Sequence, residues 1–168
     1  MKTLALLRHA KSGWDDPALA DFDRPLNARG REAARAMGRA VRRLGLCYDR
    51  ILASPAARAT ETLEALADTC GPLDPVYDAR VYLASPEALL DIVRATDDSH
   101  ERLLLVGHNP GMERLALLLS RDGPLRGEVA LKYPTGALAE LALPVERWRD
   151  IAEGQGMLTR FLRPRDLD

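Results

Sequence analysis

Four basic side chains, far apart in the chain, are the residues here whose types suit chemistry on a phosphoryl group. Arg8 and His9 are adjacent and end the apolar run Leu4-Ala5-Leu6-Leu7. Arg58 follows a second short apolar run, Ile51-Leu52-Ala53, and His108 follows a third, Leu103-Leu104-Leu105-Val106. Two guanidiniums can each hold two oxygens of one dianion. A neutral imidazole can attack phosphorus, or donate a hydrogen bond to its oxygens. Arginine charge beside His9 disfavours the imidazolium and so keeps a lone pair free for attack. A backbone carbonyl on the other ring nitrogen would fix the tautomer.

These residues can meet only if the three runs are parallel strands of one sheet, whose carboxyl ends share an edge where ligands bind. The intervening segments support that. Gly13 to Asn27 is an irregular loop holding Trp14, two prolines and four aspartates, and loops of that length tend to be functional. Asn27 is placed to cap a helix running to about Leu44, stopped by Gly45. Arg50 to Ala53 reads as a strand, and Ser54-Pro55 as the start of the next helix, with Ser54 as cap and Pro55 in the first helical position. That helix runs to about Thr69. Val76-Tyr77 is a brief strand, and Pro86 to Ala95 a helix. Arg102 to Val106 is a buried strand, and Gly107-His108-Asn109-Pro110-Gly111 opens a helix running to about Ser120. Ala137 to Leu143 and Trp148 to Ala152 read as a hairpin with Pro144 in the turn. Met157 to Leu162 reads as a further strand or an ordered extension.

Alternating strands and helices give an α/β fold, a single domain over residues 1–168. It is expected to have three layers, α/β/α, around a mostly parallel sheet with an antiparallel edge strand. Two helix N-termini would then aim at the same dianion pocket.

The composition narrows the partners. The chain has 168 residues, is 46% hydrophobic and carries a formal net charge of -1, which suits a soluble globular protein and gives no reason to expect nucleic acid or a membrane surface. Only Lys2, Lys11 and Lys132 are lysines. Cys47 and Cys70 are isolated and suit reduced thiols better than a bridge or metal site. Met1-Lys2 leads straight into the first strand, so no signal peptide is expected, and no apolar run spans a bilayer. The location expected is cytoplasmic.

Four segments together carry a family resemblance: Leu7-Arg8-His9-Ala10-Lys11-Ser12, Arg24-Pro25-Leu26-Asn27-Ala28-Arg29-Gly30, Ser54-Pro55-Ala56-Ala57-Arg58-Ala59-Thr60-Glu61-Thr62 and Val106-Gly107-His108-Asn109-Pro110. In this order they resemble the histidine phosphatase superfamily of phosphoglycerate mutases and acid phosphatases. The short length and the Arg-His-Ala-Lys-Ser form are most similar to its compact branch, the SixA-like phosphohistidine phosphatases. The resemblance implies a phosphoglycerate mutase-like fold and His9 as the phosphorylated nucleophile. It implies Arg8, Arg58 and His108 as phosphate-pocket residues, with Ser12 among the substrate-binding positions and neither metal nor cofactor required.

The chain departs from the family pattern in three places. Ala10 stands where a glycine is usual. Asp15 stands where many relatives carry asparagine, and beside phosphate it must either point away or be protonated. The segment Asp78 to Glu87, where larger relatives hold a general acid, has no clear match, leaving Glu87 and Asp15 as the acid candidates. A leaving imidazole nitrogen would tolerate that gap, since a protonated N–P bond is already labile. Arg24 suits a buried partner for a carboxylate or a substrate contact, Thr135 a structural position near the pocket, and His100 a solvated loop. A metal site among the histidines and the aspartates of residues 15–23 has no supporting ligand spacing.

The activity expected is hydrolysis of a phosphorylated substrate, a phosphohistidine-bearing protein, through a phosphohistidine intermediate on His9. A small-molecule phosphomonoesterase of the same superfamily is the alternative. From another class, a non-catalytic phosphate-binding or partner-docking domain would keep the pocket without the chemistry.

Overall fold

The computed structural model describes residues 1–167. Six strands form one sheet: β1 (Lys2–Arg8), β2 (Arg50–Ala53), β3 (Val76–Tyr77), β4 (Arg102–Gly107), β5 (Leu138–Leu143) and β6 (Met157–Leu162), in the spatial order β3-β2-β4-β1-β5-β6. Five α-helices accompany them: α1 (Ala28–Arg43), α2 (Ala57–Cys70), α3 (Pro86–Arg94), α4 (Gly111–Leu119) and α5 (Pro124–Leu131). The pairings β3–β2, β2–β4 and β4–β1 are parallel, while β1–β5 and β5–β6 are antiparallel.

The uninterrupted apolar runs of β1 and β4 follow from burial on both faces. Leu4 and Leu6 of β1, with Leu103 and Leu105 of β4, face a core shared with α3 and α4. Ala5, Leu7, Leu104 and Val106 face the opposite core, shared with Met37 and Val41 of α1 and Leu63 and Leu66 of α2. The fold is therefore three-layered, α/β/α, with the period of 2 along each strand dividing the apolar side chains between two cores.

Most expected boundaries fall within a residue or two, and the differences have local causes. Asn27 caps α1 as expected, its Oδ1 accepting from Gly30 N–H at 2.8 Å. Ser54 does not cap α2. The helix begins at Ala57 with Ala56 as an unassisted cap, because the Ser54 hydroxyl is engaged elsewhere. The partner of β5 is not Trp148 to Ala152, which forms a 3-10 turn at Trp148–Asp150, but β6. Trp148 is fully buried and its indole N–H donates to His100 carbonyl, so it anchors a crossing rather than extending a strand. Helix α5, opened by Pro124 after Gly123, lies in a stretch where no helix was expected; its single buried residue, Val129, gives too weak a periodic signal.

Two glycines of α1 set how closely its neighbours approach. A Cβ on Gly30 would lie 2.0 Å from Lys11 carbonyl oxygen, in the segment after His9. One on Gly38 would lie 2.0 Å from Thr69 Oγ1 and 2.4 Å from Leu66 carbonyl of α2. Alanine in a helix normally gains about 1 kcal/mol over glycine, but here the methyl has no room. Gly30→Ala and Gly38→Ala are each expected to destabilise the fold by about 1–3 kcal/mol in denaturant unfolding. Gly30→Ala should in addition disturb the NMR signals of Ala10 to Ser12.

Candidate active site

The register of the central strands brings the expected residues together. Arg8 of β1 pairs with Gly107 of β4, and Ala53 of β2 with Val106 of β4. Beyond those pairs the ladder continues, His9 N–H donating to Gly107 carbonyl and Ser54 N–H to Val106 carbonyl, both at 3.0 Å. His9, Ser54 and His108 thus leave three neighbouring strands at one level of one edge. The rings of His9 and His108 are 5.1 Å apart between centroids.

The protonation of His9 can be read from its two partners. Nδ1 lies 2.7 Å from the carbonyl oxygen of Ala10, which can only accept, so Nδ1 carries the hydrogen. Nε2 receives the Arg58 Nε–H at 3.4 Å, and a guanidinium can only donate, so Nε2 carries the lone pair. The pKa of His9 is pushed down from 6.5 to about 4. Burial is the largest cause, opposed by the Ala10 hydrogen bond and reinforced by Arg58, Arg8 and Arg24. The order of causes differs from the sequence-based expectation, in which arginine charge was the reason given. Desolvation of a ring 7% exposed outweighs it.

His108 is held by Ser54. Its Nε2 lies 2.8 Å from Ser54 Oγ, which already accepts the Ala56 N–H at 3.2 Å. The Ser54 hydroxyl has one hydrogen and a second lone pair, so it pairs with Nε2 in either tautomer, and donating to Nε2 is the arrangement that puts the His108 hydrogen on Nδ1. Burial, then His9 and Arg58, push the His108 pKa down to about 3. Among the described residues His108 Nδ1 and Arg8 Nε are buried polar atoms without a hydrogen-bond partner. Arg8 is fixed at Nη1 by Tyr133 carbonyl at 2.9 Å, a carbonyl that Asn109 Nδ2 also reaches at 3.1 Å.

Three comparisons bear on this arrangement. The model of the histidine phosphatase superfamily (branch 1) matches residues 4–82. A crystal structure of a candidate phosphohistidine phosphatase SixA from Agrobacterium tumefaciens is 31% identical, with a TM-score of 0.83 over 97% of this chain and 98% of that one. A second, from Nakamurella multipartitia and similarly named, is 28% identical with the same TM-score, over 97% and 96%. An uncharacterised protein of Mycobacterium tuberculosis is 34% identical over 95% of this chain and all of its own length. The chain belongs to the histidine phosphatase superfamily. Its fold is that of the SixA structures.

Not every expected site residue of this histidine phosphatase joins the cluster. Asp15 is exposed, and so is Glu87 on the first turn of α3; neither hydrogen-bonds to or pairs with His9, Arg8, Arg58 or His108. Ser12 is half-buried, bridges to Leu26 and accepts a hydrogen bond from Arg24 Nη1 at 2.6 Å. Arg24 is buried and paired with a carboxylate, that of Asp21. Thr135 lines a cleft of about 530 Å³ with Leu131 and Arg163, beside Gly136, whose N–H donates to the carbonyls of Arg8 and His9.

Four further residues were not singled out in the sequence. Thr62 accepts Ala10 N–H at 2.9 Å and donates to Arg58 carbonyl at 2.6 Å, tying the segment after His9 to α2. Glu61 accepts Leu26 N–H at 3.1 Å. Both stand in a matched motif, so the resemblance held the signal. Asp21 binds Arg58 through its carbonyl and its carboxylate, and Tyr82 donates to that carboxylate. Nothing in the sequence separates Asp21 from Asp16 and Asp23. Among the described residues no three His, Cys, Asp or Glu side chains converge as metal ligands.

Two buried neutral histidines make stability depend on pH in a defined window. The unfolded chain takes up their protons below pH 6.5, and the folded one only near 4 and 3. Stability is therefore complete above pH 6.5 and falls as the pH drops towards 4, by on the order of 3 kcal/mol for His9. Urea unfolding between pH 7 and 4 should show this slope, and His9→Gln should reduce it by about half, leaving the His108 share. NMR titration should find the His9 ring neutral at pH 5.

Proposed function

We propose that this phosphatase hydrolyses protein phosphohistidine through a covalent intermediate on His9. The observation that carries the reading is the tautomer: two groups of fixed polarity leave the His9 Nε2 lone pair unprotonated beside a buried guanidinium. Nε2 attacks phosphorus while the bond from phosphorus to the leaving atom breaks. Arg8 and Arg58 stabilise the charge on the transferring oxygens, and His108 Nδ1–H donates to one of them. Water then attacks the phosphohistidine, releasing phosphate and returning Nε2 to its neutral state.

The leaving group is argued from the carboxylates. Neither Glu87 nor Asp15 bonds to the cluster, and Asp21 is held ionised by the Tyr82 hydroxyl, Arg58 and Arg24, well below the usual carboxylate range. None of these three carboxylates is a proton donor held against the cluster. An alkoxide leaving group needs one, whereas a substrate imidazole already protonated on its ring departs as a neutral molecule. The candidate names of the two SixA structures point to the same substrate class.

Mixing with a labelled phosphohistidine protein and quenching in alkali or acid tests the reaction. Wild-type protein should retain label that is stable in alkali and lost in acid, and His9→Ala should retain none. Arg58→Ala should turn over at least about 100-fold more slowly. Faster turnover of small phosphomonoesters than of the phosphoprotein would favour the phosphomonoesterase, and phosphate binding without labelling or turnover a non-catalytic domain.

A further inference from the structure

Asp21 lies outside the motifs of the family resemblance, in the 3-10 turn Asp21–Asp23, yet it touches Arg24, Arg58 and Tyr82 at once. Its Oδ1 accepts from Arg24 Nε at 3.1 Å and Nη2 at 3.0 Å. Its Oδ2 accepts from Arg58 Nη2 at 2.9 Å and from the Tyr82 hydroxyl at 2.5 Å. Its backbone carbonyl accepts from Arg58 Nη1 at 2.7 Å. Both terminal nitrogens of Arg58 are thus set by one residue, and the third, Nε, faces His9 Nε2.

The consequence is orientation. An arginine side chain retains much rotamer freedom unless its planar fork is docked. The Arg58 side chain is 3% exposed, and Asp21 is its one ion-pair partner among the described residues. The same carboxylate reaches the rim, since the Tyr82 ring packs edge-on against His108 at 5.3 Å and Phe22 at 5.1 Å. Arg24 carries the link back to Ser12 and lies over Trp14, 3.6 Å from its ring centroid.

We propose that Asp21 is a positioning residue, which presets the Arg58 guanidinium against His9 and fastens the segment between β1 and α1 to the pocket. It acts through Arg58 and does not itself touch the phosphoryl group. The role rests on the reading of Arg58 and His9 as a phosphoryl site, but binding tests it without requiring turnover.

The test uses chemical rescue. The Asp21 side chain is 38% exposed, so Asp21→Ala leaves a space between two guanidiniums that formate can enter from solvent. Calorimetric titration with inorganic phosphate should show binding weakened by about 10-fold in Asp21→Ala, the loss expected for one charge-assisted contact. Formate in the tens-of-millimolar range should restore part of that affinity in the variant. In wild-type protein the same formate should only compete. Asp21→Asn, which keeps the volume and removes the charge, should also weaken phosphate binding and serves if the alanine variant does not fold. Phosphate affinity unchanged or tighter in both variants overturns the proposal, as does formate that competes equally in wild type and Asp21→Ala. Wild-type protein that binds phosphate but forms no phosphohistidine defeats the catalytic reading and leaves this result standing; wild-type protein that binds no phosphate defeats both.

Discussion

A carbonyl oxygen accepts and a guanidinium donates, and His9 is held between one of each. That pair of constraints decides which nitrogen bears the proton without any external base. The carbonyl belongs to Ala10, the next residue, so the sharp turn that carries the chain off β1 also sets the ring. The guanidinium comes from α2, so the relation of that helix to the sheet decides whether the lone pair has a partner. Thr62 and Asp21 hold these two groups in place, Thr62 through Ala10 N–H and Arg58 carbonyl and Asp21 through the guanidinium.

Electrostatics and burial cooperate in an unequal way. Three arginines around His9 would each discourage its protonation in water only weakly, but inside the fold the ring has lost its hydration and the neutral form prevails. The cost of gathering that positive charge is met locally by Asp21, which is ionised because a phenol and two guanidiniums all donate to it. The site is a neutral imidazole among cations, with one carboxylate bracing Arg58 and Arg24.

Packing links the helix pair to the nucleophile more directly than the strand order alone would. Gly30 lets the first turn of α1 close on Lys11 carbonyl, and Thr62 of α2 takes the N–H of Ala10. The residues after His9 are thereby clamped between two helices whose mutual approach depends on Gly38. Glu61 holds Leu26 in the same way. The motif around Arg58 is therefore as much a frame for the backbone at residues 10–12 and 26 as a source of one arginine.

Much of this was readable from the chain alone. The apolar runs ending in Arg8-His9 and His108 showed buried parallel strands with a shared edge, because burial on both faces leaves no polar alternation and forces the charged ends out of the sheet. Spacing and residue type likewise placed α1, α3 and α4 and brought the four basic residues to one place. Weak local signals failed: α5 buries one residue, and Trp148 mimics a strand while serving as an anchor. Ser54 has the form of a helix cap, but its hydroxyl goes to His108, a contact between strands that no local rule anticipates. Asp21 and Tyr82 lie 61 residues apart, and nothing local marks Asp21 among the aspartates of its loop until the chain folds. Sequence determined which groups gather at the sheet edge, since residue type and strand ends are local. Only tertiary structure decided which carboxylate braces them and which ring nitrogen is free, because both depend on partners that converge from separate elements.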